Sequence, residues 1–104
     1  MVHSIGPDEA RSLLASDALE VIDVRDATEW SSGHLPGARH VPLSRLRAGA
    51  RSELPHDGVI FVCAAGVRSE VAARLALAEG FSRVYSLSGG TRAWARAGLP
   101  LVTG

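Results

Sequence analysis

The sequence predicts an α/β protein built on a parallel sheet with helices on its faces. Two observations carry this. Short, β-branched, mostly apolar runs recur along the chain, and stretches of helical pattern separate them. The runs are Leu19-Glu20-Val21-Ile22-Asp23, Val59-Ile60-Phe61-Val62 and Val84-Tyr85-Ser86-Leu87. Runs of this kind are expected for strands covered on both sides.

The elements come in order along the chain. Pro7 to Ala15 opens with Pro, Asp8 and Glu9, a helix start in which Pro occupies the first turn and acids face the positive end of the dipole. Thr28 to Ser32 and Ser44 to Ala48 read as short helices, and Gly37 to Val41 as the place of a short strand. Ser69 to Glu79 is rich in Ala and Leu, with Val71, Ala72, Leu75 and Ala76 on one face and Gly80 as a stop. Thr91 to Ala97 is a last helix that ends at Gly98. No linker or repeat divides residues 1–104, so the chain reads as one domain of ordinary size.

Composition narrows the function. Hydrophobic residues make up 46%, enough for a core and too many for a disordered chain. The 11 basic residues, all Arg, balance 11 acidic ones without any block of like charge, which gives no support to a nucleic-acid or polybasic membrane role. No apolar stretch approaches the length of a membrane span. The start, Met1 to Asp8, lacks the basic and apolar regions of a signal peptide and reads as mature cytoplasmic sequence. The one cysteine can form neither an internal disulfide nor a multi-cysteine zinc site. His3, His40 and His56 lack metal-ligand spacing, and Gly89-Gly90 lacks the Lys of a phosphate loop, so neither metal nor cofactor is expected.

That cysteine comes directly after the strand Val59–Val62, in the run Cys63-Ala64-Ala65-Gly66-Val67-Arg68-Ser69. Sites in α/β sheets lie beyond the carboxyl ends of the strands. A thiol there faces a helix N-terminus, whose free N–H groups and dipole favour an anion. Gly66 lets the loop curl so that its N–H groups converge. Arg68 adds a cation, and Ser69 is placed to cap the helix. Together these should take the thiol below its free value of about 8.5. A lone Cys is usually a small buried hydrophobe; its neighbours argue for a nucleophile instead.

The same seven residues resemble the active-site loop of the rhodanese family. Asp23-Val24-Arg25, Glu29 and Gly33-His34-Leu35-Pro36-Gly37-Ala38 resemble its N-terminal signature. Leu87-Ser88-Gly89-Gly90-Thr91-Arg92-Ala93-Trp94, with Gly98-Leu99-Pro100, resembles its C-terminal one. The resemblance implies a single rhodanese-like domain with a five-stranded parallel sheet and helices on both faces. It implies sulfur transfer from a small donor such as thiosulfate to cyanide or a thiol, with a sulfur-relay protein as a further candidate partner. It makes Cys63 the sulfur carrier and Ala64, Ala65, Gly66, Val67, Arg68 and Ser69 the substrate cradle. Thr91 departs from the bulky aromatic many relatives carry. Ala64 and Ala65 offer no side-chain donor, which leaves donor recognition to the backbone, Arg68 and Ser69.

Three residues have supporting roles. Asp23 ends a buried strand and needs hydrogen bonds from nearby N–H groups or from Arg25. Arg25 is expected to pair with Glu29 or to attract an anion. The resemblance makes His34 a signature turn residue rather than a base, and Trp30 and Trp94 read as core aromatics. Two rival functions use the same loop. Cysteine phosphatases place five residues between Cys and Arg, whereas four intervene here; a shorter ring should suit a sulfur atom rather than a phosphoryl group. Partner-binding modules of this fold usually lack the Cys.

Overall fold

The computed structural model describes residues 2–16, 18–54 and 56–104. Ten elements succeed one another: β1 (His3–Ile5), α1 (Pro7–Ser16), β2 (Glu20–Asp23), α2 (Ala27–Ser32), β3 (Arg39–His40), α3 (Leu43–Glu53), β4 (Val59–Val62), α4 (Val67–Ala78), β5 (Val84–Leu87) and α5 (Gly90–Arg96). The five strands form one sheet in the order β1-β5-β4-β2-β3, and every pairing is parallel. The chain runs outward from β2 to β3 and then crosses back to β4. The strand order therefore reverses at β2 and β4, and the crevice at such a switch point is where α/β sheets hold their ligands.

Each face of the sheet has its own core. Ile22, Val59, Phe61 and Val84 pack with Leu46 and Ala50 of α3 and with Ala72, Ala73 and Ala76 of α4. Val21, Ile60, Val62 and Leu87 pack on the other side with Ala10 of α1 and Trp94 of α5. Alternation along β4 sends Phe61 to one face and Ile60 to the other. All four β4 residues are completely buried, and each such side chain contributes about 1.5–3 kcal/mol. The central strand is thus a rigid base for the loop that leaves its carboxyl end.

One strand was not expected, and two helices run longer than the sequence suggested. The strand β1 went unread in the sequence, being three residues long with a half-exposed pattern. The helix expected over Ser44–Ala48 runs to Glu53, across a kink at Gly49. The helix expected to start at Ser69 begins at Val67, with left-handed Gly66 at its cap. Ala72 and Ala76 are buried as expected and are joined by Ser69 and Ala73, while Leu75 packs at the edge of the same core; small side chains at the centre let the helix lie close on the sheet. No helix among the described residues is long and apolar enough to cross a membrane.

Candidate active site

Cys63 leaves the end of β4 with 1% of its surface exposed. The chain turns at Ala64 and Ala65, and Gly66, at φ 104°, reverses into α4. A side chain there would press on the Gly89 backbone nitrogen at 3.1 Å. The turn before α5 closes the other side of the loop. Thr91 N–H donates to the Cys63 carbonyl at 2.8 Å, and Arg92 N–H to that of Ala64 at 3.2 Å. Gly90 makes this docking possible, since a Cβ on it would overlap the carbonyls of Cys63 and Ala64. The Gly-Gly pair is therefore a support for the loop, and the buried Thr91 belongs to that support.

The sulfur sits inside a ring of donors. Gly66 N–H donates to Sγ at 3.0 Å, and the backbone N–H groups of Ser69 and Ala65 also favour its charged form. Ser69 Oγ lies 3.6 Å from Sγ and 2.7 Å from Ser86 Oγ on β5. Both serines are buried. When the sulfur is a thiolate, Ser69 donates to it and accepts from Ser86; when it is a thiol, the direction reverses. Burial pushes the thiol up, but the Ser69 hydroxyl and the three N–H groups outweigh burial and hold it below its ordinary value.

Ser69 is therefore not a cap. It is the third residue of α4 and points down at the sulfur. Arg68 also differs from expectation. Its guanidinium forms a fork with the Glu29 carboxylate, Nη1 to Oε1 at 2.7 Å and Nη2 to Oε2 at 2.8 Å. Ser69 and the backbone, rather than Arg68, are the groups that touch sulfur. Glu29 is held low, to about 2, first by the Arg68 hydrogen bonds and against its partial burial, with help from the Asp26 N–H. Arg68 is raised in turn by Glu29 and, more weakly, by the charge of Cys63.

Of the two partners expected for Arg25, Asp23 is the one it binds, and Glu29 pairs elsewhere. Arg25 donates from Nε and Nη2 to the Asp23 carboxylate at 2.8–3.1 Å, and its own N–H reaches Oδ1 at 3.0 Å. Nη2 also donates to the Gly33 carbonyl. The pair is almost wholly buried, so neither charge is free to attract a ligand. His34 Nδ1 bonds the Trp30 carbonyl at 2.9 Å, and its backbone bridges to Val102. Trp30, only half-buried, stacks on His34 and His40, while Trp94 is buried in the core as expected. Asp23, Arg25 and His34 thus brace the crevice wall without contacting Sγ. No group of three or more His, Cys, Asp or Glu among the described residues could hold a metal.

The sequence reading missed Ser86, Gly90 and the partner of Arg68. Ser86 had a faint signal, a hydroxyl in an otherwise apolar buried strand, and such a group needs a partner. Beside the loop lies a groove of about 340 Å³ whose lining includes Ala65, Gly66, Val67, Ser86 and Ser88. Val67, at its edge, is 73% exposed.

Known proteins are similar to this chain in sequence and fold. A thiosulfate sulfurtransferase, GlpE, from Pseudomonas putida is 36% identical over 102 residues, spanning 95% of this chain and 89% of its own. A Bacillus subtilis relative is 34% identical over 80 residues but longer, and the chain spans 43% of it. The crystal structure of a rhodanese-related protein from Thermoplasma volcanium superposes with a TM-score of 0.87 at 27% identity, covering 98% of this chain and 99% of the other. The model of the Rhodanese-like domain matches residues 6–97, and with the Pseudomonas putida relative, at its identity and coverage, beside it the chain belongs to that family.

Proposed function

We propose that this protein is a sulfurtransferase that carries sulfur as a persulfide on Cys63. The observation that carries the proposal is a single buried sulfur at a strand end that accepts from Gly66 N–H and faces the Ser69 hydroxyl, in surroundings that lower its pKa. Such surroundings stabilise a thiolate and, after it, the terminal sulfur of a persulfide, with no general base. The Cys63 thiolate attacks the outer sulfur of thiosulfate; the bond to the sulfonate sulfur breaks, and sulfite leaves with the electron pair. Cyanide or a thiolate then attacks the terminal sulfur and returns Cys63 as thiolate. The name of the Pseudomonas relative supports thiosulfate as the donor. With one cysteine in the chain, the persulfide must be resolved by an external acceptor, either a small molecule or a sulfur-relay protein. A reducing, cytoplasmic setting suits a lone working thiol.

Ala64 to Ser69 form the cradle, its donors supplied by the backbone and by the Ser69 hydroxyl. Asp23, Arg25 and His34 hold the wall. The test is direct. Incubation with thiosulfate should add one sulfur atom to the intact mass, cyanide should remove it as thiocyanate, and Cys63→Ser should show neither. Hydrolysis of aryl phosphates should be negligible beside sulfur transfer; comparable phosphatase turnover would overturn the reading.

A further inference from the structure

We infer that Glu29 is a specificity-determining residue that holds the charge of Arg68 and so sets how strongly the site favours anionic donors. The inference rests on the reading of Cys63 as the reactive sulfur. Arg68 is the cation of the loop, one residue before Ser69. A loop with a free guanidinium would draw a dianion such as thiosulfate toward the sulfur. Here both terminal nitrogens of Arg68 are taken by one carboxylate, in the bidentate geometry that matches guanidinium best. An anionic donor that uses Arg68 must compete with a carboxylate already in place.

Glu29 is well placed for this. It comes from α2, 39 residues earlier in the chain, and it does not touch Sγ. The same side chain closes the capping box of α2, accepting from Asp26 N–H at 3.2 Å while Asp26 accepts from Glu29 N–H at 2.9 Å. The helix thus presents a carboxylate anchored at its first turn. The pair is partly exposed, with 38% of the Arg68 side chain and 31% of that of Glu29 open to water, so an incoming ion can reach it.

Glu29→Gln tests this, because Gln also fits the third position of a capping box and removes only the charge. The alkylation rates of Cys63 by iodoacetate and by iodoacetamide are compared in the full chain. A change in thiol pKa or in folding alters both rates together; only a change of field at the mouth of the site alters their ratio. The iodoacetate-to-iodoacetamide ratio is expected to rise about fivefold in Glu29→Gln, the size of effect one unit charge has across a few ångströms of wet surface, and to return near the wild-type value in Glu29→Gln/Arg68→Gln. With thiosulfate, KM should fall by at least as much, with kcat within about twofold. An unchanged ratio and KM in Glu29→Gln, or a raised ratio that persists in the double variant, would overturn the inference. Absence of any sulfur adduct on the wild type, with the ratio behaving as expected, would instead overturn the sulfurtransferase reading and leave the role of Glu29 standing.

Discussion

The two ends of the sheet use the same set of donors for opposite purposes. At the amino ends of β4 and β5, the Asp57 carboxylate accepts from the N–H groups of Gly58, Ser82 and Arg83 and from the Ser82 hydroxyl, at 2.7–3.0 Å. At the carboxyl end of β4, Cys63 Sγ accepts from Gly66 N–H and faces the Ser69 hydroxyl, and the nearby backbone N–H groups of Ala65 and Ser69 also favour its charge. Both rings favour an anion. Asp57 is opposed by its partial loss of solvent, yet these bonds take it down to about 2, so it is charged at every ordinary pH. Such a ring ties two strand entries together and does nothing else. Around a thiol the same ring brings ionisation toward neutrality, and the atom that carries the charge is also a nucleophile. A nest of N–H groups becomes a reactive site only when its guest can still react.

The largest expected effect separates the ends outright. Cys63→Ser should reduce sulfur transfer by about a thousandfold or more while leaving the melting temperature nearly unchanged; turnover and thermal unfolding measured on one preparation decide this. Residual activity above about a tenth of wild type would remove Cys63 from the mechanism.

Next comes the support of the reactive ring. Gly90→Ala should destabilise by about 3 kcal/mol, because its Cβ meets the Cys63 and Ala64 carbonyls and its backbone stands at φ 58°. Urea unfolding gives the value, and a cost under about 1 kcal/mol would mean that the loop yields easily.

The ring donors can then be ranked. Ser69→Ala should raise the thiol pKa, because the Ser69 hydroxyl is the strongest of the groups that favour the thiolate. Because the thiolate is the reactive form, alkylation near pH 7 should slow and recover at higher pH. Arg68→Ala should move the midpoint less, since Glu29 already balances that charge. The opposite ranking in a pH–rate profile would restore Arg68 as the activating group.

The smallest effect belongs to the other end. Asp57→Asn should cost about 1 kcal/mol, kept low because the side chain is exposed and water can replace its bonds, and should leave kcat unchanged. A carboxylate whose folded pKa is lowered stabilises above its unfolded value and loses that contribution as pH falls through the folded one. The difference between wild type and Asp57→Asn should therefore be full above about pH 4 and fade toward pH 2. A difference independent of pH across that window would show that the charge of Asp57 is not what holds the strand entries.

Much of this architecture was legible from the chain alone. The mostly apolar runs Val59–Val62 and Val84–Leu87 coincide with β4 and β5 because a strand covered on both sides favours apolar residues at most positions. The position of Cys63 beyond a strand end and before a helix was legible for the same reason, and Gly66 marked the turn through its freedom to take positive φ. The three motifs, spaced along nearly the whole chain, carried the family.

The pairing of charges was decided by tertiary structure. The sequence left Arg25 two neighbours, Asp23 and Glu29; burial of Asp23 draws Arg25 into the crevice, and Glu29 reaches across to Arg68, 39 residues on. Ser69 and Ser86 are likewise 17 residues apart and meet only because α4 lies on the face of the sheet where β5 presents its hydroxyl. Local sequence determines φ, ψ and burial pattern, because those depend on near neighbours. Which donor meets which acceptor depends on how elements pack, and here that packing gives the sulfur its hydroxyl and gives the loop arginine its carboxylate.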